Sequence, residues 1–177
     1  VAIDITERKL AEEELRANQK QLQALADNLP DFISMTDYEG RYIFVNKRFE
    51  EWVCLGRDDV VGKTVHDLYP EERANEIVAF DQRAITAREV LSDEIVDTYP
   101  DGKTRTVIRT RFPVVTSQGK MIGLGNINHD ITERKQAEAE LAEKETQLRM
   151  AMDYMPGAMI VVNSDLRITA VNDTYKD

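Results

Sequence analysis

The sequence predicts an α+β domain: an antiparallel sheet of about five strands, helices on one face, and a long helix at each end. Three observations lead there. Two short strand patterns precede three or four helical segments, and three longer strand patterns follow. Asp101-Gly102, a strong hairpin-turn signal, joins two of the long strands. The hexapeptide Asp4-Ile5-Thr6-Glu7-Arg8-Lys9 returns letter for letter as Asp130-Ile131-Thr132-Glu133-Arg134-Lys135, and helix-forming residues follow each copy.

Asp4 with Glu7, and Asp130 with Glu133, have capping-box spacing, in which the first side chain accepts from exposed amides and the Glu reaches back. The helices that follow contain no Gly or Pro until Pro30 and Pro156. The first has an apolar period of seven. Leu15, Leu22 and Leu29 occupy one seam position, and Ala11, Asn18 and Leu25 the other, a short parallel coiled-coil pattern in which a buried Asn18 would fix a two-stranded register. An amphipathic helix packed on its own domain is the alternative. Leu141, Leu148 and Met155 repeat the seam in the second helix, where Lys144 weakens it.

Phe32 to Thr36 and Tyr42 to Val45 flank a turn at Glu39-Gly40 and predict a hairpin. Asn46 can cap a helix from Lys47 to about Cys54 that buries Phe49, Trp52 and Val53. Gly56, Gly62 and Tyr69-Pro70 punctuate short segments. Glu71 to Arg88 is the one long helix inside the domain, with Ile77, Phe80, Ala84 and Ile85 inward. Val90 to Tyr99, Lys103 to Val115 and Met121 to Ile131 are the long strands. In the middle one, Thr106, Ile108, Thr110, Phe112 and Val114 share a face, and Arg105, Arg109 and Arg111 lie on the other.

Composition narrows the function. Lys plus Arg number 23 against 33 Asp plus Glu, a net charge of −10. Such a chain repels phosphate backbones and anionic lipid heads, so no nucleic-acid partner is expected. No apolar stretch approaches the roughly 18 residues of a membrane span, and no basic start followed by an apolar segment marks a secretory signal, so none is expected. A cytoplasmic chain with no direct membrane insertion is expected. Cys54, the single cysteine, allows neither an internal disulfide nor a cysteine-based zinc site. His66 and His129 are too far apart for a local metal motif, and no metal site is expected.

Carried forward without a gap, the hexapeptide's offset leaves 17 of 48 aligned positions identical, against roughly 3 expected from ordinary residue frequencies. The chain reads as one full repeat and the start of the next, a piece of a longer tandem array. The strands between Met155 and Asp177 are expected to need a partner: the neighbouring domain, a second copy or the Val1 to Ile5 segment.

This order of elements, with a helix entering and a helix leaving, resembles the PAS domain. The hexapeptide after the last strand is similar to the Asp-Ile-Thr linker of PAS arrays. Val45-Asn46-Lys47-Arg48-Phe49-Glu50, Val61-Gly62-Lys63-Thr64, Asp67-Leu68-Tyr69-Pro70 and Asp101-Gly102 add to the resemblance. On this reading residues 1–20 end a preceding repeat and begin a linker helix, and 21–132 form a complete PAS domain. Residues 133–154 are a linker helix with coiled-coil character, and 155–177 start a second PAS domain. The resemblance implies a sensory and dimerisation module of a bacterial signal-transduction protein. The foremost parent is a two-component sensor histidine kinase; a diguanylate cyclase is the alternative. Implied partners are a second copy, paired as a homodimer through the linker helices, and neighbouring PAS and output domains of the same chain.

The family's cofactors can be tested by position. Photoactive LOV-type domains carry a cysteine just after the glycine matching Gly62, but Gly62-Lys63-Thr64-Val65-His66 has no thiol. Cys54 is expected to be a small buried apolar residue. Haem-binding relatives place an axial histidine on the long helix, and Glu71 to Arg88 contains none; His66 reads as a packing or capping residue. Flavin adduct and haem are therefore not expected, and an unidentified small organic ligand stays open. No placed nucleophile and base, phosphate loop or phosphoacceptor motif is present, so no catalytic residue is assigned.

The family implies a pocket between the helices and the inner sheet face, which Trp52, Tyr69, Phe80, Thr110, Asn126 and Asn128 could line. A filled core is the alternative. Signal would leave through the junction Asp130, Ile131, Thr132 and Glu133, with Asp130 bonding backbone at the strand end while capping the helix. A ligand-free spacer, holding outputs in register through its coiled coil, is the competing reading.

Overall fold

A computed structural model describes residues 5–154, Gly157 and 160–171, with side chains from residue 8 onward. The chain divides into two compact units, residues 1–131 and 132–177.

The first unit opens with α1 (Ile5–Asp27) and the hairpin β1 (Phe32–Thr36) and β2 (Tyr42–Val45). Four helices follow: α2 (Lys47–Val53), α3 (Arg57–Val60), α4 (Val65–Leu68) and α5 (Glu71–Ala87). The long strands β3 (Leu91–Thr98), β4 (Thr104–Val115) and β5 (Met121–Asp130) complete an antiparallel sheet of order β2-β1-β5-β4-β3. The predicted fold class is the one observed, with each predicted internal helix and strand in place.

Local chemistry explains the element boundaries. Asn46 caps α2 and is fully buried: its Oδ1 accepts from Phe49 N and Ile33 N, and its Nδ2 donates to Ala26 O and Asp31 O. All four of its hydrogen-bonding positions are used, which ties α1, β1 and α2 together. Thr64 and Asp67 form a capping box at α4 that the sequence reading missed. Gly102 turns the β3–β4 hairpin at φ +79°, where a Cβ would strain the backbone. On β5, a Cβ at Gly125 would fall 2.3 Å from the Phe112 ring, so that position admits no side chain while Phe112 lies across it. Phe32, Tyr42, Phe49, Trp52 and Tyr99 form a connected aromatic core with centroid separations of 4.5–6.1 Å.

Two expectations are corrected. The inner face of β4 is the arginine face: Arg105, Arg109 and Arg111 are buried with Val107, whereas Thr110 lies on the opposite face, within 3.1 Å of Ser92 Oγ. Alternation separates two faces but does not say which is covered. Buried arginine is tolerated here because each head group has an anionic partner and two of them also stack closely on a ring. Cys54 is exposed, because it occupies the left-handed C-cap of α2 at φ +58°.

α1 meets its own domain through polar groups. Gln23 donates to Val45 O, and the Asp27 carboxylate accepts from Lys47 N at 2.7 Å and from Arg57. Leu15, Leu22 and Leu25 remain 60–68% exposed, and Asn18 and Leu29 are also exposed. The apolar seam therefore does not pack on its own domain.

The second unit contains α6 (Thr132–Asp153) and a two-stranded antiparallel sheet of β6 (Ile160–Val162) and β7 (Ile168–Val171). These strands pair with each other, and the side of α6 bearing Leu148 and Met152 lines a cavity with Thr169, Ala170 and Val171. The turn reproduces the first repeat atom for atom. Asp37 Oδ1 accepts from Glu39 N and Arg41 N, and Asn163 Oδ1 accepts from Asp165 N and Arg167 N. Leu166 (φ +59°) takes the left-handed place of Gly40 (φ +75°). Asp4, Met155, Pro156 and Met159 lie outside the described residues. No helix among the described residues is long and apolar enough to cross a membrane.

Candidate functional site: the inner face of the sheet

The inner face carries charge where a core would ordinarily be apolar. Arg105 bonds Asp101 through both carboxylate oxygens, at 3.0 and 2.5 Å, and its guanidinium carbon lies 4.3 Å from the Trp52 ring and 5.3 Å from Tyr99. Arg109 bonds Asp93 at 3.0 and 2.7 Å and stacks 3.8 Å from Phe80. Arg111 Nε donates to Asp81 Oδ1 of α5 at 2.5 Å, and its Nη1 donates to Asn126 Oδ1. Such paired, stacked guanidinium groups keep their charge out of water at tolerable cost.

β5 extends this chemistry along one face. Its inward residues are Leu124, Asn126, Asn128 and Asp130, spaced by two as a strand requires. Asn126 also donates to Ser34 Oγ at 3.2 Å, and Asn128 donates to the Tyr99 hydroxyl at 3.1 Å. Asp130 Oδ2 lies 3.4 Å from Arg105 Nε. Polar contacts thus run from Asp81 through Arg111 to Asn126, Asn128 and the Tyr99 hydroxyl; the Tyr99 ring then stacks under Arg105, which pairs with Asp130. Ile131 follows, buried and bonded by its N–H to Thr106 O.

Burial shapes the titration of these groups. It raises the Asp81 carboxyl above the ordinary carboxylate range, against the pull of Arg111 and Arg109. It pushes the Tyr99 hydroxyl up to about 12 and raises Tyr42 and Tyr69 as well. Arg105 hydrogen bonds hold Asp101 below the ordinary range. At neutral pH the three tyrosines are neutral.

A cleft of about 220 Å³ opens beside this network, between the β1–β2 turn, α4, α5 and β5. Asp81, Val78, Ile85 and Leu124 line it together with Thr36 and Val65. Of the predicted pocket residues, the structure brings Asn126 and Asn128 together on Arg111. Trp52 is sealed in the aromatic core and Tyr69 packs against it. Phe80 lies under Arg109, and Thr110 is on the far face. Asp81, Arg111, Tyr42 and Ser34 were missed. The hairpin register offered one signal: centred on Asp101-Gly102, it sets Asp93 opposite Arg109 and Asp97 opposite Arg105. Nothing local marks Asp81 as the partner of Arg111, 30 residues away. Among the described residues no group of three or more His, Cys, Asp or Glu is placed to hold a metal.

An antiparallel sheet with crossing helices on one face, a polar interior and a final strand running into a long helix defines a sensory-module architecture. The PAS fold model matches residues 26–136, more than half of the chain, and the chain belongs to that family. It is 24% identical over 136 residues to the methanogenesis regulatory histidine kinase FilI of Methanothrix harundinacea, covering 77% of this chain and 15% of that protein. It is 27% identical over 125 residues to a diguanylate cyclase of Vibrio cholerae, covering 68% of this chain and 39% of the cyclase. The chain therefore spans well under half the length of these relatives. The solved PAS domain of Bordetella pertussis BvgS superposes with a TM-score of 0.56 at 28% identity, over 75% of this chain and 98% of that one.

Proposed function

We propose that the chain is a sensory and dimerisation module of a bacterial signal-transduction protein, foremost a cytoplasmic sensor histidine kinase. A ligand held inside the sheet changes the polar network, and β5 passes the change through Asp130, Ile131, Thr132 and Glu133 to the helix that follows. The observation that carries this reading is the run of contacts from Asp81 to Asp130, polar as far as the Tyr99 hydroxyl and completed by the Tyr99–Arg105 cation–π contact and the Arg105–Asp130 ion pair. A coupling of about 1–3 kcal/mol between pocket and helix would change an output equilibrium about 5- to 150-fold. The module itself does no chemistry; a kinase or, as the alternative, a diguanylate cyclase supplies it.

The outward seam of Leu15, Leu22 and Leu25 supports the second part of the reading, a homodimer through α1. It also favours the competing role, a ligand-free spacer. Asp130→Ala in the parent protein tests the relay: the domain keeps its fold, and output stops responding to input. Unchanged output would overturn the relay. Native mass spectrometry separates sensor from spacer, since a sensor carries a non-protein mass that is lost on denaturation, and a spacer is a dimer without one.

A further inference from the structure

We propose that the cleft beside Asp81 takes a small organic cation, a protonated amine on a short apolar body. This inference rests on the reading of the domain as a ligand-binding sensor and adds the chemical class of the ligand.

The head group follows from one carboxylate. Asp81 Oδ1 is taken by Arg111 Nε at 2.5 Å, while Oδ2 accepts no hydrogen bond among the described residues. Arg57 Nε is the one side-chain polar atom among the described residues that is both sealed from solvent and unpaired. Asp81 Oδ2 is unpaired but not sealed from solvent, and Asp81 is one of the residues that line the cleft. Arg111 does not line that cleft; its Nη1 faces Asn126, Asn128 and Thr110 O. A ligand entering thus meets an acceptor with negative charge and not the guanidinium behind it.

The surroundings agree in sign. The rim carries Asp37 and Glu39. Nearby Arg41 is already engaged by Glu39 and Gly62 O, and His66 Nε2 is paired with Asn75 Oδ1. Burial penalises the charged form of Asp81, and Arg111 offsets this only in part. A second cationic donor on Oδ2 would complete the carboxylate with a charge-assisted hydrogen bond, whereas a carboxylate ligand would meet like charge.

Size and walls define the rest of the molecule. At about 30 Å³ per water-sized group, about 220 Å³ holds roughly seven non-hydrogen atoms. Val65, Val78, Ile85 and Leu124 offer apolar contact to a short hydrocarbon body.

Three probes share one ring and differ only in head group: cyclohexylammonium, cyclohexanol and cyclohexanecarboxylate. Each is titrated into the whole chain, and the methyl resonances of Val65, Val78, Ile85 and Leu124 are followed. The expected result is saturable shifts with cyclohexylammonium, at least tenfold weaker binding of cyclohexanol, and no binding of the carboxylate. Asp81→Asn weakens the ammonium probe at least tenfold and leaves cyclohexanol within twofold. Ile85→Trp fills the cleft and removes binding of both. Alcohol or carboxylate binding as tight as the amine overturns the amine class and leaves the pocket standing. No methyl shift with any probe at millimolar concentration overturns the cleft as a site, and the sensor reading then depends on native mass spectrometry and the Asp130→Ala experiment.

Discussion

The sheet interior and α1 reverse the ordinary partition of residues between inside and outside. On β4 three arginines are 4–8% exposed, and on α1 three leucines are 60–68% exposed. Hydrophobicity alone would place both sets the other way round. The arginines are inside because Asp81, Asp93 and Asp101 and the rings of Trp52 and Phe80 supply what water would have supplied. The leucines are outside because α1 is held to its domain by Gln23, Asp27 and the backbone carbonyl of Ala26, which leaves the apolar seam turned outward. What decides burial is whether a partner completes the group, and among the described residues of its own domain the α1 seam meets none.

The sharpest way to break the comparison is to remove one partner from the interior. Arg111→Leu leaves Asp81 buried without its cation and should cost about 3–5 kcal/mol in urea unfolding. The double variant Arg111→Leu with Asp81→Leu should recover most of that loss, since a packed apolar pair carries no unpaired charge. A double variant as unstable as the single one would mean that the ion pair is not what keeps Arg111 inside.

Asn46 stands where the two regions meet. Asn46→Ala removes a helix cap and leaves Ala26 O and Asp31 O without their donor, at a cost of about 2–3 kcal/mol. Because α1 depends on that bond, amide exchange at the C-terminal end of α1 should rise along with global unfolding. Unchanged protection in α1 would mean that Gln23 and Asp27 hold the helix by themselves.

Polar substitution on α1 tests the other side. Leu15→Glu with Leu22→Glu should weaken self-association at least tenfold in sedimentation equilibrium, and each exposed change should alter domain stability by no more than about 0.5 kcal/mol. A large stability loss with no change in association would place the seam on its own domain after all.

The smallest effect is in the pH dependence. Arg105 holds the Asp101 carboxyl below its ordinary value of 3.8. The stabilisation from that pair is present above the unfolded value and is lost as pH falls through the lower folded one. Asp101→Asn should therefore destabilise at pH 7 and matter progressively less below about pH 4. Asp81 has the opposite sign: its folded value is raised, so its ionisation takes stability away as pH climbs above the ordinary carboxylate range. A wild-type minus Asp101→Asn difference that stays constant from pH 7 to pH 3 would remove Arg105 as the cause.

The sequence by itself determined the order of elements, the repeat, the Asn46 cap, the Asp101-Gly102 hairpin and the inward positions of α5. These are local properties: each depends on side chains a few residues apart, or on a period that one strand or helix displays alone. Strand alternation also separated the arginine face of β4 from the threonine face. It could not tell which face the helices cover, because that depends on partners brought from β3 and α5. The same limit put Thr110 in the pocket, Cys54 in the core and Asp81 nowhere. Only the tertiary structure set Asp81 against Arg111, turned the Asn126, Asn128 and Asp130 face of β5 toward the arginines of β4, and turned the leucines of α1 outward. Those outcomes follow from long-range pairing of charge, which no single stretch of sequence contains.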